Sequence, residues 1–465
     1  MVAVASADLA TETTACGKSG GLDVLYDVDA AMIVGMTVAV VVFTRDLRVR
    51  DNPALSAAAA TADHVVPVFV VDRGITRSRF NRPNRAAFLA DSLRDLDASL
   101  KKLGAGLVVR HGDVATEVAE LADEVDAAGV HMARDYSRYA VRRQDAVRTG
   151  LGRRTLYLHD SHVVIPPDAV SPTGGDYFRV FTPYHRRWLE AARRDLAPTP
   201  HRLRLPPGIR SGPIPGAADI CEGPSSPALP DGGETAARRR MSSWYAGAIR
   251  RYPDDHDALA ADNTSHLSAA LHFGCISPLE LTAKADRRSP AHDAFVRQVC
   301  WRDFNHQILA ARPDVVDTDF RTQHDRWRHD EDDFAAWQEG RTGYPIVDAG
   351  MRQLQQEGWM HNRARLLTGS FLTKHLYIDW RWGARHFFDL LVDGDIANNT
   401  LNWQWIAGTG ADSRPNRMLN PMTQAERHDP DGAYVRRYLG DEPRPGRIVD
   451  HTDAVRAFRA HRGRG

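Results

Sequence analysis

A short polar segment, residues 264–268, has residue types that could bind an anion. Its sequence is Thr-Ser-His-Leu-Ser, and it stands directly before the apolar run 269–273. Hydroxyl groups and free backbone N–H groups at the start of a helix bind phosphate. The same residue types also cap helices when no ligand is present. The segment alone therefore leaves two interpretations open, a helix cap and a phosphate site.

Residues 298–305 (QVCWRDFN) place a tryptophan and an arginine beside an acid on an expected helix. In one interpretation, Trp301 belongs to the core, and Arg302 and Asp303 form a surface ion pair. In the other, Trp301 is an aromatic platform for stacked bases and Arg302 is a cation for phosphates.

The segment 359–366 (WMHNRARL) carries two arginines, and residues 393–395 are Asp-Gly-Asp. An arginine from the first segment paired with a carboxylate from the second could be a structural device. The alternative is that such a pair holds and polarises a bound heterocycle.

Two adjacent amides, Asn398 and Asn399, lie just before Trp403 and Trp405 on an apolar, helical segment. An amide is expensive to bury unless it finds hydrogen-bond partners. Neighbouring aromatic residues therefore make a ligand site a reasonable interpretation of this segment.

These segments all lie in residues 232–465, where the spacing of apolar residues predicts helices almost throughout. Residues 36–165 instead alternate between strand-like and helix-like segments, which predicts a parallel sheet with helices on both faces. The expected strands are 37–43, 64–71, 106–111 and 129–134, and the expected helices are 84–103, 114–127 and 139–149. No G-x-G-x-x-G follows the first strand, so this Rossmann-like part lacks the dinucleotide fingerprint.

Composition divides the rest of the chain. Residues 1–35 hold five acids and one base, which is unlike a secretory signal and predicts a disordered extension, with Met36 as a possible natural start. Residues 166–231 are rich in proline and predict an inter-domain linker. The expected organisation is an extension (1–35), an α/β domain (36–165), a linker (166–231) and a helical domain (232–465).

The chain has 60 basic and 60 acidic residues, so its formal net charge is zero. This balance excludes a protein that is basic all over and coats nucleic acid. No apolar run is long enough to span a membrane. The four cysteines form no C-x-x-C pair, so we expect no zinc or iron–sulfur site and no disulfide framework. A reduced, cytoplasmic, monomeric protein is the expectation.

Several ordered motifs together resemble the photolyase/cryptochrome family, and most closely its bacterial class I cyclobutane pyrimidine dimer (CPD) photolyases. They are residues 43–48 (FTRDLR), 51–55 (DNPAL), 358–365 (GWMHNRAR), 378–381 (IDWR) and 393–405 (DGDIANNTLNWQW). The resemblance covers residues 36 to about 440. It implies a Rossmann-like α/β antenna domain and an all-α domain that binds FAD and the DNA lesion. The implied activity is repair of pyrimidine dimers by electron transfer from excited, reduced FAD to a flipped-out dimer.

The resemblance also implies roles for individual residues. The FAD-binding set is Tyr252, Thr264, Ser265, His266, Leu267, Ser268, Arg365, Asp393, Gly394 and Asp395, and Asn399 is expected near the flavin N5 atom. The electron-transfer set, from the flavin outward, is Trp403, Trp380 and Trp327. The DNA-contacting set is Gln298, Val299, Cys300, Trp301, Arg302, Asp303, Phe304, Asn305, Asn362, Arg363 and Trp405.

Three positions depart from the pattern of CPD photolyases. Gln298 stands where Glu is frequent, Leu366 where Met is frequent, and His256 where Arg is frequent. A cryptochrome-like photoreceptor, or a (6-4) photolyase, is therefore the alternative function, and a light-independent flavin oxidoreductase is a third. We expect lesion binding to use a local basic set of Arg302, Arg363, Arg414 and Arg417.

A second, light-harvesting chromophore is also implied for the α/β domain. Ser137, Arg138 and Tyr139 occupy a region where folate-binding members carry Asn-Glu. This difference favours a deazaflavin of the 8-HDF type over methenyltetrahydrofolate.

Overall fold

Five parallel strands form one sheet in the computed structural model, which describes residues 36–412, 414–440 and 443–462. The strands are β1 (Val38–Phe43), β2 (His64–Asp72), β3 (Val108–Gly112), β4 (Gly129–Ala133) and β5 (Thr155–His159). Their order in the sheet is β3-β2-β1-β4-β5. In the register, Val40 pairs with Val66 of β2 and with Val130 of β4. The predicted extension, residues 1–35, lies outside the described residues.

The Rossmann-like prediction for this part is confirmed, and four of its strands were expected. The fifth, β5, was missed because its side chains are exposed or half-buried, so it lacks the continuous apolar run of an inner strand. The helices of this part are α1 (Pro53–Thr61), α2 (Arg73–Thr76), α3 (Pro83–Leu103), α4 (Val114–Glu124) and α5 (Arg138–Gly150).

The proline-rich stretch contains few regular elements. They are a 3₁₀ turn (Pro167–Ala169), α6 (Phe181–Glu190) and α7 (Ala217–Ile220). Asp303 holds the chain just before this stretch, since its Oδ2 accepts hydrogen bonds from the backbone N–H groups of Val164 and Ile165 at 2.8 and 3.1 Å. The same oxygen accepts one from Nε1 of Trp188 in α6 at 2.9 Å.

The remaining described elements are helical, as predicted. They are α8 (Glu234–Ala246), α9 (Tyr252–Asp255), α10 (Ser268–Phe273), α11 (Pro278–Ala283), α12 (Pro290–Ala311), α13 (Glu331–Gln338), α14 (Pro345–Glu357), α15 (Asn362–Ser370), α16 (Trp380–Leu390), α17 (Ile396–Ala407), α18 (Pro421–His428), α19 (Ala433–Leu439) and α20 (His451–Arg462). Two 3₁₀ turns (Ala248–Arg251 and Pro313–Val316) and one π-helical turn (Phe371–His375) connect them.

The helices contact the first β–α connection very closely at Gly274. This glycine ends α10 with φ +69°, and a Cβ there would lie 1.9 Å from the carbonyl oxygen of Arg45. Only glycine fits both the left-handed backbone and this approach. Nearby, Leu47 N–H donates to the Phe273 carbonyl at 3.2 Å. The contact holds Arg45 against the helices.

Within the part of the chain that the structure describes, we find no helix long and apolar enough to cross a membrane.

Candidate functional site

Arg365 and Asp393 form a two-pronged ion pair. Nη1 and Nη2 of Arg365 lie 3.2 and 2.8 Å from the two oxygens of Asp393. The Asp393 side chain is 4% exposed, and Arg365 Nε donates to the Met360 carbonyl at 2.8 Å. Paired hydrogen bonds of this kind fix geometry as well as charge. The structure thus joins the two segments that sequence analysis had linked only by hypothesis.

Asp395 caps helix α17 and pairs with a residue of the α/β part. Its Oδ1 accepts hydrogen bonds from the backbone and side-chain nitrogens of Asn398 at 2.9 and 2.8 Å. Its Oδ2 lies 2.5 Å from Nη2 of Arg45, in the turn after β1. Burial raises the pKa of Asp395, but His306, Arg45 and Arg302 outweigh it and hold that pKa well below the usual value. Asp395 is therefore a carboxylate at neutral pH.

Three histidines surround this carboxylate, and sequence analysis selected none of them. His306 Nε2 and His272 Nδ1 lie 3.7 and 4.0 Å from its oxygens, and the His162 ring stands edge-on to His306 at 4.6 Å. Burial lowers the pKa of His306 to about 4. Neither ring nitrogen of this buried, neutral histidine has a hydrogen-bond partner. Such a pair of orphan atoms fits a polar ligand, because buried polar groups are rarely left unpaired.

Ligand atoms of His162, His306 and Asp395 lie within 4.8 Å of one another. A divalent cation is nevertheless disfavoured there by two positive side chains. Arg45 is paired with Asp395, and Arg302 Nη2 lies 3.1 Å from Nε2 of His162. We therefore assign no metal to this cluster.

The segment 264–268 lies beside residue 359. Trp359 Nε1 donates to Ser268 Oγ at 3.2 Å, and the His266 ring stacks on Trp359 at 4.0 Å. No side chain caps the start of α10, so the helix-cap interpretation is not supported. The buried Oγ1 of Thr264 has no hydrogen-bond partner, which fits a ligand oxygen. Tyr252, at the start of α9, packs edge-on to Trp244 at 5.4 Å.

The three tryptophans of the electron-transfer set differ in burial. Trp403 and Trp380 are buried, at 2% and 1% exposure, whereas Trp327 is half-buried. Trp380 Nε1 donates to Asp319 at 3.0 Å. Trp337, which sequence analysis passed over, stands edge-on to Trp403 at 6.1 Å. Of the three tryptophans in the set, Trp327 is therefore the one nearest to solvent.

The two adjacent amides have different partners. Asn399 Nδ2 donates to the Ala384 carbonyl of α16 at 2.9 Å. Asn398 Oδ1 accepts from Asn305 Nδ2 at 2.9 Å. A cavity of about 100 Å³ between α16 and α17 is lined by Asn399 and Trp380, among others.

Most of the segment 298–305 faces inward on α12. Only Gln298 is exposed and only Trp301 is half-buried, and the Trp301 ring stacks on Phe181 at 3.6 Å. The other six, which are buried, are Val299, Cys300, Arg302, Asp303, Phe304 and Asn305. The segment is therefore largely core, with Trp301 at its open face. The expected surface ion pair is wrong, because Arg302 and Asp303 are buried and lie 3.7 Å apart.

The remaining members of the DNA-contacting set reach the surface. Asn362 is exposed, and Arg363 and Trp405 are half-buried. Arg363 Nη2 pairs with Asp257. Of the other expected basic residues, Arg414 and Arg417 are exposed. A separate cavity of about 520 Å³, lined by Arg50, Asp51, Arg238 and Glu280 among others, contains none of the predicted site residues.

The chain thus combines a five-stranded parallel sheet with helices that carry a buried group of paired arginines and carboxylates. Residues 295–444 match the family model described as the FAD binding domain of DNA photolyase. Residues 39–203 match the model described as DNA photolyase. The chain belongs to the DNA photolyase family.

Individual relatives agree with this assignment. The chain is 54% identical over 409 residues to the deoxyribodipyrimidine photo-lyase of Streptomyces griseus, covering 87% of this chain and 90% of that protein. It is similar to the crystal structure of a class III photolyase from Agrobacterium tumefaciens, with a TM-score of 0.85, 31% identity and coverage of 94% and 99%. It is also similar to a Synechocystis cryptochrome, with a TM-score of 0.83, 25% identity and coverage of 91% and 99%.

Proposed function

We propose that this protein is a light-driven deoxyribodipyrimidine photo-lyase, a carbon–carbon lyase that reverses cyclobutane pyrimidine dimers in DNA. The observation that carries the proposal is the 54% identity, over 87% of this chain, to a protein of that name. The Arg365–Asp393 pair and the Asp395 cluster support it, because they offer a polar site for the flavin.

The polar groups of the helical part fit FAD. Thr264 Oγ1 and the two His306 ring nitrogens are buried donors or acceptors that lack partners within the described residues. We assign the FAD phosphates and ribityl chain to Tyr252 and residues 264–268, and the flavin ring to Arg365, residues 393–395 and Asn399. Bound FAD supplies the light-excited electron donor. The protein supplies position and electrostatics around it.

We assign Trp403, Trp380 and Trp327 to the transfer of electrons to oxidised flavin. Trp403 and Trp380 are buried and Trp327 is half-buried, so the path would run from the interior toward the surface. An indole suits this task because it is among the side chains that are most easily oxidised. Trp337 contacts Trp403 and would be a side branch of the path.

For the lesion, direct contact is assigned to Gln298, Trp301, Asn362, Arg363 and Trp405, which reach the surface. A dimer must leave the duplex before it can reach the flavin, and a damaged, poorly paired base costs less to extrude. Trp301 and Trp405 would stack on it, and the Gln298 amide can both donate and accept hydrogen bonds at thymine edges. The six buried members of segment 298–305 would act by holding α12 in place.

The zero net charge implies selectivity for damage over bulk DNA. Arg363, Arg414 and Arg417 are the basic residues of the expected set that lie at or near the surface. Affinity should fall with salt because phosphate contacts release counterions. The salt slope should correspond to a few contacts. An affinity for dimer-containing DNA that does not change with salt would contradict this model.

We assign the antenna chromophore to the α/β domain and favour an 8-HDF-type deazaflavin over methenyltetrahydrofolate. In the region that differs from folate-binding members, Ser137 caps α5 and the Tyr139 hydroxyl donates to Asp72 at 2.6 Å. The absorption spectrum of the purified protein tests this assignment. Flavin bands with a deazaflavin band would support it, and a folate band would refute it.

The decisive experiment for the main function is repair in vitro. Chemically reduced protein with FAD bound should split thymine dimers in an oligonucleotide under blue light, and should not do so in the dark. A cryptochrome-like photoreceptor, favoured by the similarity to the Synechocystis cryptochrome, would instead show flavin photoreduction without dimer repair. A (6-4) photolyase would repair only the (6-4) photoproduct.

We further propose that the protein acts as a monomer in the cytoplasm. Cys221, Cys275 and Cys300 are free thiols, which suits a reducing compartment. Sedimentation of the FAD-loaded protein, alone and with DNA, tests the oligomeric state.

A further inference from the structure

Trp327 lies against a tyrosine, Tyr377, that the electron-transfer set does not include. The two ring centroids are 4.9 Å apart, with the planes inclined by 41°. The backbone fixes this contact, because Arg328 N–H donates to the Tyr377 carbonyl at 2.8 Å and Arg328 forms a parallel bridge with Ile378. Backbone hydrogen bonding, as well as side-chain packing, therefore holds the two rings next to each other.

The backbone at Tyr377 is unusual for a bulky residue. Its φ is +53°, in the left-handed region that side chains other than those of Asn and Asp seldom adopt. One residue, Leu376, separates it from the π-helical turn Phe371–His375, and such turns are frequent at functional sites. This conformation directs the buried ring, which is 4% exposed, toward Trp327.

The Tyr377 hydroxyl has a carboxylate as its hydrogen-bond acceptor. It donates to Asp325 Oδ1 at 2.7 Å. Arg462 holds that carboxylate through Nε at 2.8 Å and Nη2 at 2.5 Å, and the Asp325 side chain is 1% exposed. A phenol in this position can lose an electron and pass its proton directly to the carboxylate, without waiting for water.

We propose that Tyr377 is the terminal electron donor of this protein: it reduces oxidised Trp327 and gives its hydroxyl proton to Asp325. The inference rests on the proposed function, since Trp327 loses an electron only if the tryptophan path operates. In the step, the Trp327 radical cation gains one electron and becomes neutral. Tyr377 loses one electron and one proton and becomes a neutral radical, and the Asp325 carboxylate becomes a carboxylic acid.

The recovery step balances in the same way. A thiolate in solution returns one electron to the Tyr377 radical and becomes a thiyl radical, while Asp325 returns the proton. The nearby Arg462 guanidinium, 5.9 Å from the Trp327 ring, disfavours a positive charge on that ring. It therefore favours passage of the oxidation to Tyr377, where the radical is neutral. A neutral radical is not drawn back electrostatically toward the reduced flavin, so the separated charge should last longer.

The test uses the protein with oxidised FAD bound, flash-illuminated without thiol, and follows radicals by transient absorption and electron paramagnetic resonance. We expect a tyrosyl radical to appear as the Trp327 radical decays, more slowly in deuterium oxide. Tyr377→Phe should abolish the tyrosyl signal. Tyr438→Phe is the matched control, because the Tyr438 hydroxyl also donates to a carboxylate, Glu357, at 2.5 Å. It should keep the signal.

Asp325→Asn provides a second variant, since an amide can still accept the hydrogen bond but is a poor base. It should slow tyrosine oxidation while leaving the Trp327 radical in place. A tyrosyl radical that persists in Tyr377→Phe, or that is absent from the unmodified protein while the Trp327 radical forms, overturns the proposal. Undiminished flavin photoreduction in Trp327→Phe would also overturn the proposal, because it would show that electrons do not pass through Trp327.

A dimer-repair assay distinguishes failure of the proposed photo-lyase function from failure of the proposed role of Tyr377. Chemically pre-reduced Tyr377→Phe should repair thymine dimers under blue light as well as the unmodified protein, because repair does not need electron replacement. Normal repair together with an unchanged tyrosyl signal refutes only the role of Tyr377. Failure of repair in the unmodified protein refutes the photo-lyase function.

Discussion

Arg45 and Asp395 are 350 positions apart, yet Nη2 of Arg45 lies 2.5 Å from Oδ2 of Asp395. Arg45 also reaches Asp135 at 3.2 Å and the His272 carbonyl at 3.0 Å. One guanidinium therefore links two carboxylates of the α/β and helical parts at the edge of the proposed flavin site. Its loss would affect both stability and cofactor binding.

Arg45→Ala should destabilise the protein by about 3 kcal/mol, because it leaves the buried carboxylates of Asp135 and Asp395 without this counter-charge. Urea unfolding measures this change. Arg94→Ala is the control, since the Arg94–Asp91 pair is exposed and should contribute about 0–1 kcal/mol. Equal losses in the free energy of unfolding for the two substitutions would contradict the stabilising role of the Arg45 ion pairs.

Asn399→Asp should change which flavin redox state accumulates. The substitution removes the amide that donates to Ala384 and places a carboxyl group where we expect the flavin N5 atom. Absorption spectra during stepwise reduction report the outcome. Asn402→Asp alters an exposed residue of the same helix and should leave the spectra unchanged. Unaltered spectra in Asn399→Asp would refute the assigned position.

Trp327→Phe should slow photoreduction of oxidised flavin and leave repair by pre-reduced protein largely intact. The reason is that phenylalanine is much harder to oxidise, whereas repair uses an electron already stored. Trp382→Phe is a matched control, because Trp382 is half-buried and packs on His329 and Phe334. If Trp327→Phe impaired both reactions equally, Trp327 would have a structural role instead.

Trp301→Ala should weaken binding of dimer-containing DNA by about tenfold or more, since stacking on an aromatic side chain contributes about 1–3 kcal/mol per base. Fluorescence anisotropy with damaged and undamaged duplexes measures the effect. Binding of undamaged DNA should change little, because Trp301 contributes no charge. A uniform loss on both duplexes would indicate that α12 has shifted after losing its contact with Phe181.

Asp303 predicts a pH dependence of stability. Burial raises its pKa to about 6, despite its hydrogen bonds and the nearby Arg302. Between pH 4 and 6 the folded protein keeps a proton that the unfolded chain has released, so this group's contribution to stability falls as pH rises. Relative to Asp303→Asn, the unmodified protein should lose about 2 kcal/mol from pH 4 to pH 7. Unfolding curves that stay parallel over this range would refute the shifted pKa.

The sequence predicted the fold class well, because its strong periodic patterns report burial directly. Strands β1 and β2 are continuous Val-rich runs, whereas β5 is an edge strand whose pattern is weak. The hypothesis that an arginine of segment 359–366 pairs with a carboxylate of residues 393–395 is also confirmed, by Arg365 and Asp393. Both residues lie in long segments whose order and spacing are specific.

Other parts of the site could not be predicted, because they depend on contacts between distant residues. Arg45 lies in a recognised motif, but no local pattern shows that it reaches Asp395. The burial of Arg302 could not be predicted either, since its partner His162 lies 140 positions away, just after β5. The position of Tyr377 beside Trp327 depends on a single bridge between two loops.

The close approach at Gly274 limits how this protein can be recombined with its relatives. A chimera that takes its α/β domain from one family member and its helical domain from another must keep a glycine at this position, because a single added carbon would collide with the Arg45 carbonyl. It must also keep an acid at position 303 to hold the connecting chain. Grafting of an α/β domain from another family member therefore has to preserve these contacts between the two parts.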